Sequence, residues 1–173
     1  MNKFEYLVND VEEFLKINEE ESQKIESKTM KKLISVQDKI KIFKNISYEE
    51  LKAIIYDLKF VRYEYKDHIV EQDSTSEIIY YLIDGECQVF QNSNKIGELH
   101  SGSTFGESGA IFEQKRSATV ICASKTATLL SFKIDKNNLE FASNALAILY
   151  RNLAFEINAK LNDLNKNISA KTS

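Results

Sequence analysis

Apolar positions in the first part of the chain recur at steps of three and four residues, from Phe4 through Val8 and Val11 to Leu15. This period places them on one face and predicts an amphipathic helix of roughly fifteen residues. A weaker pattern of the same kind runs through residues 25–40. We expect residues 1–41 to form a helical extension that packs on the domain that follows it or on a partner chain.

A helix-start signal follows at Ser47-Tyr48-Glu49-Glu50. In such a capping box, the serine and the glutamate three residues later each satisfy a free backbone N–H group of the other. The apolar residues after it would form the buried face of the helix: Leu51, Ile54, Ile55 and Leu58.

Beyond residue 60 the period changes, and short runs of β-branched and aromatic residues predict strands. The runs cover residues 61–65, 69–71, 78–83, 87–90, 95–99, 118–123 and 128–132. Turn signals such as Lys66-Asp67 and Asp84-Gly85 separate them. Strands that follow each other at intervals of about ten residues favour an antiparallel sandwich or jelly roll over a parallel α/β sheet.

Residues 137–167 return to the helical period, in a short segment and then a long one. The apolar side chains of Leu146, Leu153, Ile157 and Leu161 fall on one stripe. Such a stripe can pack on its own domain, or it can pair with a second copy as a coiled-coil-like seam. We expect a homodimer that forms through this helix.

Length, charge and apolar runs limit the classes of function. A chain of 173 residues that is 43% hydrophobic can bury one good core. A net charge of −3 disfavours nucleic-acid binding, which usually requires a basic face. The chain has no apolar run that could span a bilayer, and its N-terminus lacks the pattern of a secretory signal. We therefore expect a cytoplasmic protein with no membrane and no nucleic-acid partner.

The candidate chemistry lies in residues 105–120, whose sequence is Phe-Gly-Glu-Ser-Gly-Ala-Ile-Phe-Glu-Gln-Lys-Arg-Ser-Ala-Thr-Val. The chain has 5 glycines and no proline, so the presence of Gly106 and Gly109 here indicates a close approach of the backbone. The Arg116 guanidinium suits a phosphate diester, and the Glu107 carboxylate can accept from a hydroxyl. The alternative is that Glu107 and Arg116 form a partly exposed salt bridge, which would stabilise the fold little.

This segment resembles the phosphate-binding cassette of the cyclic nucleotide-binding domain family. The run Tyr80-Tyr81-Leu82-Ile83-Asp84-Gly85 resembles the hairpin of that family, and Gly102 falls where its members commonly have glycine. The resemblance implies an antiparallel β jelly roll, also called a double-stranded β-helix, with N-terminal helices and a long C-terminal helix. It implies a ligand-binding domain over residues 42–135, followed by C-terminal helices and a tail over residues 136–173.

The resemblance also implies a ligand, cAMP or cGMP, with no further cofactor and no metal. The residues that would bind it are Gly106, Glu107, Ser108, Gly109, Arg116 and Ser117. Arg116 would meet the phosphate and Glu107 the ribose 2′-hydroxyl. A hydroxyl directly after the arginine, here Ser117, favours guanine in relatives, but serine there also occurs with adenine ligands. The signal would pass through the C-terminal helix to an effector protein. The chain stops at Ser173 without the winged helix-turn-helix of the family's transcription factors, so we expect no direct DNA binding.

One departure from the family pattern precedes the arginine. Glu113, Gln114 and Lys115 stand where many members have Gly-x-Pro, and this makes the loop less rigid. The alternative function is therefore that of a relative that does not bind nucleotide and acts as a dimeric adaptor through its terminal helices.

Enzyme classes fit the sequence less well. A metal-dependent jelly-roll enzyme needs several clustered ligands, but His68 and His100 have no His-x-His spacing. Cys87 and Cys122 lack Cys-x-x-Cys spacing, which favours core packing over a disulfide or a metal site. The sequence contains no paired nucleophile and base and no nucleotide-hydrolysis loop, so we expect no enzymatic activity.

Overall fold

The structure is a computed structural model that describes residue 33, residues 40–136 and residues 139–171. The helices predicted within residues 4–15 and 25–40 therefore lie outside the described residues. Two positions of the second pattern are exceptions, because Leu33 and Ile40 are both described and both fully buried.

Eight strands of the described region form two four-stranded sheets, and every pair among them is antiparallel. The first sheet has the order β1-β8-β3-β6, with β1 Ile55–Glu64, β8 Thr126–Ile134, β3 Ile79–Asp84 and β6 Thr104–Phe105. The second has the order β2-β7-β4-β5, with β2 His68–Val70, β7 Thr119–Cys122, β4 Glu86–Gln91 and β5 Asn94–His100. This arrangement confirms the predicted antiparallel jelly roll.

Within the described residues, three α-helices and a short 3-10 helix flank the sheets. The 3-10 helix is Lys41–Phe43, α1 is Tyr48–Ile54, α2 is Glu107–Phe112, and α3 is Leu139–Lys171. The capping box is present, because the Ser47 N–H donates to Glu50 Oε2 at 2.9 Å. The C-terminal helix is one continuous element of 33 residues rather than a short and a long segment.

Strand β1 begins earlier than the sequence predicted. Ile55 and Leu58, which the periodicity assigned to the buried face of α1, lie in β1 instead. The pairing of β1 with β8 accounts for the difference, since Ile55 lies opposite Ile134 and pairing continues to Glu64 opposite Thr126. A ladder of that length outweighs the weak helical preference of a few residues.

Helix α3 is anchored to the domain along its first half. Its side chains Ala145, Leu146, Leu149 and Leu153 are buried in the larger core cluster, together with the 3-10 helix and α1. Burial of each leucine contributes roughly 1.5–3 kcal/mol. Asn152, which is also buried, donates to the Ile42 carbonyl at 3.1 Å and to the Lys44 carbonyl at 2.9 Å. The predicted apolar stripe thus packs on its own domain as far as Leu153.

Candidate functional site

Arg116 is the most tightly held residue of the cassette. Its side chain is enclosed, with only 4% of the residue exposed. Its backbone N–H donates to the Ser74 carbonyl at 2.8 Å, and its carbonyl accepts from the Asp73 N–H at 2.8 Å. The guanidinium donates from Nη1 to the Gly106 carbonyl at 2.5 Å and from Nη2 to the Ile78 carbonyl at 2.6 Å. The loop that precedes β3 and the start of α2 therefore position this cation.

The charge of Arg116 is buried without an ionic partner among the described residues. Burial lowers the pKa of its guanidinium, and the nearby Tyr80 and Glu107 partly offset that effect. An arginine stays protonated despite such a shift. Its Nε atom is buried and has no hydrogen-bond partner in the described part of the chain. A cation that is held only by carbonyl dipoles is well suited to receive an anion.

The two cassette glycines make room for Arg116. Gly106 has φ 83°, and a Cβ there would lie 2.6 Å from Arg116 Nη1 and 2.8 Å from the Ile78 carbonyl oxygen. A Cβ on Gly109 would lie 3.1 Å from the same Nη1 atom. The close approach that the sequence indicated is thus made by the arginine side chain against the backbone of α2.

Glu107 lies at the first position of α2, directly after Gly106, and is 7% exposed. Its Oε1 accepts from Lys160 Nζ of α3 at 2.5 Å. The salt bridge considered for Glu107 and Arg116 is therefore replaced by a pair between Glu107 and Lys160. Sequence reasoning missed Lys160, although one signal was available: it lies seven residues after the buried Leu153, on the same face of the helix.

The two serines of the cassette are exposed. Ser108 lies on α2, and Ser117 directly follows Arg116. The Ser117 carbonyl accepts from Gln91 Nε2 of β4 at 3.2 Å, which ties this turn to the second sheet. Both serines are therefore accessible to solvent, next in sequence to the glutamate and the arginine.

The loop between α2 and Arg116 begins with a left-handed residue. Glu113, the C-cap of α2, has φ 55° and ψ 34°, a region that glycine adopts most readily. Its carboxylate pairs with Lys136 Nζ at 2.9 Å, and this contact lowers the pKa of Glu113. Glycine, which the resemblance would place at this position, would adopt the conformation without strain.

The two histidines that the sequence analysis considered do not form a metal site in the described part of the chain. His68 contacts Glu71, and His100 lies 3.6 Å from Glu86, all four being exposed. Within residues 40–136 and the described helix α3, no three metal-ligating side chains cluster. None of the helices described is both long enough and apolar enough for a membrane crossing.

The fold is thus an antiparallel jelly roll that encloses the Arg116 guanidinium beside the start of α2. Residues 60–140 match the sequence profile of the family described as cyclic nucleotide-binding domain. The match supports the resemblance that the cassette motif indicated.

Two curated proteins illustrate the relationship. A cGMP-dependent protein kinase of Plasmodium berghei is 27% identical over 125 residues, which cover 69% of this chain and 14% of the kinase. The Pycsar effector protein BcPycTIR of Burkholderia cepacia is 32% identical over 106 residues, which cover 61% of this chain and 34% of the effector. The chain thus spans at most about a third of the length of these two relatives.

Solved structures share the fold. A cyclic nucleotide-binding domain from Methylobacillus flagellatus superposes with a TM-score of 0.62 at 18% identity, covering 84% of this chain and 85% of that one. The catabolite activator protein of Thermus thermophilus gives a TM-score of 0.55 at 18% identity, covering 76% of this chain and 63% of that one.

Proposed function

We propose that this chain is a cytoplasmic sensor module that binds a cyclic nucleotide, cAMP or cGMP, and is not itself an enzyme. The observation that carries this proposal is the Arg116 guanidinium, which is buried without an ion pair among the described residues and is aimed at the start of α2. One phosphate diester carries a single negative charge and would supply the ionic partner that this guanidinium lacks among the described residues. The match to the family profile and the similarity to a cGMP-dependent protein kinase support a cyclic nucleotide as that diester.

Each cassette residue has a role in this proposal. Arg116 binds the equatorial phosphate oxygens, and Glu107 accepts from the ribose 2′-hydroxyl through a carboxylate oxygen. Gly106 and Gly109 keep the space that the guanidinium needs. The hydroxyls of Ser108 and Ser117, both exposed, supply further polar contacts, and Ser117 is compatible with either guanine or adenine.

The signal leaves the site through α3. Lys160 connects that helix to Glu107, the same carboxylate that receives the ribose. Ligand binding changes the partners of Glu107. The contact between Lys160 and Glu107 therefore contributes a different free energy in the free protein than in the bound protein. Asn152 fixes α3 to the 3-10 helix and the residue after it. We therefore expect ligand binding to change the position of the part of α3 that follows Asn152.

The second half of α3 offers a surface through which the output could pass to another protein chain. Beyond Leu153 the helix exposes Phe155, at 66%, and Leu161, at 53%. We propose that this segment joins two copies of the chain and presents the dimer to an effector. The same exposed segment supports the second candidate function, a dimeric adaptor that does not bind nucleotide.

Isothermal titration with cAMP, cGMP and cyclic di-GMP tests the proposal. We expect one of the two mononucleotides to bind with one ligand per chain. Charge-assisted contacts contribute roughly 1.5–3 kcal/mol, so Arg116→Ala should weaken binding by about ten- to a hundredfold or more. Arg116→Lys should recover only part of the loss, because an ammonium lacks the guanidinium fork.

Arg62→Ala is the matched control, since it removes an exposed arginine from β1 and should leave the affinity unchanged. If the folded wild type binds none of the three ligands, the adaptor function replaces the sensor function. The same follows if a folded Arg116→Ala variant binds as tightly as the wild type.

A further inference from the structure

The two cysteines of the chain lie directly opposite each other on neighbouring strands. Cys87 is the second residue of β4, Cys122 is the last residue of β7, and the two are register partners. Both are free thiols, and both are fully buried in one apolar cluster between the sheets. Their spacing in the sequence predicted no such pairing, because strand register alone brings them together.

The backbone of Cys122 shows which kind of strand pair this is. Its N–H donates to the Asp67 carbonyl at 2.9 Å, and its carbonyl accepts from the Lys66 N–H at 2.9 Å. Both of its hydrogen-bonding groups therefore point away from β4. Cys87 and Cys122 form a non-hydrogen-bonded pair of the antiparallel ladder.

The adjacent pair confirms that assignment, since the Ala123 N–H donates to the Glu86 carbonyl at 2.8 Å. In a non-hydrogen-bonded pair the Cα atoms are about 4.5 Å apart, and the side chains point to the same face. A disulfide needs a Cα separation of about 4.4–6.8 Å. The ladder therefore sets the Cα separation of the two cysteines near the lower limit of the range in which a disulfide can form.

We propose that Cys87 and Cys122 are a redox modification site, at which peroxide converts the two thiols into an intrachain disulfide across β4 and β7. One thiolate attacks a peroxide oxygen, which forms a sulfenic acid and releases hydroxide. The second thiolate then attacks the sulfenic sulfur, so the S–S bond forms and the S–O bond breaks. The two thiol protons leave with the two hydroxides as water, and peroxide is the oxidant.

The reaction should be slow in the native protein. Burial, together with the neighbouring Cys122, raises the pKa of the Cys87 thiol to about 12. Few thiolates are present at neutral pH, and both sulfurs are shielded from solvent. Cys122 ends β7 and Cys87 lies close to the start of β4, so local opening at this end of the sheet admits the oxidant. The rate should rise with pH and with low concentrations of denaturant.

Intact-mass analysis of the full chain tests the proposal. The wild type is treated with hydrogen peroxide, the oxidant is removed with catalase, and the protein is unfolded and alkylated with N-ethylmaleimide. We expect a monomer that has lost two hydrogens and takes up no alkylating reagent. Dithiothreitol should restore two alkylations, because the chain contains 2 cysteines.

The single variants Cys87→Ala and Cys122→Ala serve as controls that cannot form the bond. Oxidised wild type should melt at a higher temperature than reduced wild type, because the crosslink restricts the unfolded chain. Neither variant should show that shift. The proposal is overturned if wild type keeps two reactive thiols after prolonged peroxide treatment at alkaline pH with a low concentration of denaturant, the conditions under which the strand ends open and thiolates form. It is also overturned if the thiols yield only sulfinic acids or disulfides between chains.

Discussion

Lys160 of the C-terminal helix and Glu107 of the cassette form an ion pair at 2.5 Å, with side-chain exposures of 31% and 10%. This pair joins the only two described elements that the proposed function requires to communicate, the ligand cassette and the output helix. The ribose hydroxyl of a bound nucleotide would approach the same carboxylate. The contact therefore offers a physical link between ligand binding and the position of α3.

We expect Lys160→Ala to uncouple α3 from the ligand. Loss of the lysine leaves a largely buried carboxylate without its charged partner, which should lower the free energy of unfolding of the free protein by roughly 1–3 kcal/mol. Binding of nucleotide should then cause less change in hydrogen exchange across α3 than it does in wild type. Exchange measured by mass spectrometry, with and without ligand, checks this expectation.

The control for that variant is Lys41→Ala. Lys41 also pairs with a carboxylate of α3, Glu156, at 3.3 Å, but its side chain is 61% exposed and Glu156 is not a cassette residue. The Lys41→Ala variant should show the same ligand-induced change in hydrogen exchange across α3 as wild type. An equal response in Lys160→Ala and wild type would exclude Lys160 as the link.

Gly106→Ala should damage the site through Arg116. The φ of 83° strains an alanine there, and its Cβ would lie 2.6 Å from Arg116 Nη1. We expect a loss of about 1–3 kcal/mol in stability and at least a tenfold weaker affinity for nucleotide. Denaturant unfolding and calorimetric titration measure the two effects.

Gly97→Ala is the matched control, because no atom lies within 4 Å of a Cβ built at Gly97. It should change neither stability nor affinity appreciably. If Gly106→Ala behaves in the same way, the close packing of Arg116 against α2 is not needed for binding.

Local features of this protein were readable from the sequence, and long-range ones were not. The capping box at Ser47 and the glycine-bounded cassette depend on neighbours in the chain, so their patterns predicted them. The pairing of Lys160 with Glu107 and of Cys87 with Cys122 depends on helix placement and strand register. The periodicity of apolar residues reports neither helix placement nor strand register. For the same reason it did not predict that pairing with β8 starts β1 at Ile55.

Replacement of Glu113 by glycine should stabilise the protein. Glu113 occupies a left-handed conformation with φ 55°, which costs energy for any residue with a Cβ. Its ion pair with Lys136 involves an exposed carboxylate, so its loss should matter little. We expect the melting temperature of Glu113→Gly to rise by a few degrees. Gln114→Gly, at the next position, should lower it, because glycine there only adds freedom to the unfolded chain.

Dimerisation through α3 should depend on the exposed side chains that follow Leu153. Phe155 and Leu161 are 66% and 53% exposed, so a charge at both positions should disrupt a seam between two copies without damage to the core. We expect Phe155→Glu with Leu161→Glu to be a folded monomer where wild type is a dimer, as measured by light scattering at matched concentrations. Leu153→Glu should instead unfold the protein, because Leu153 is 1% exposed within the core cluster. A wild-type monomer at high micromolar concentration, or a dimer that survives both charges, would exclude this seam and place the output surface elsewhere on the chain.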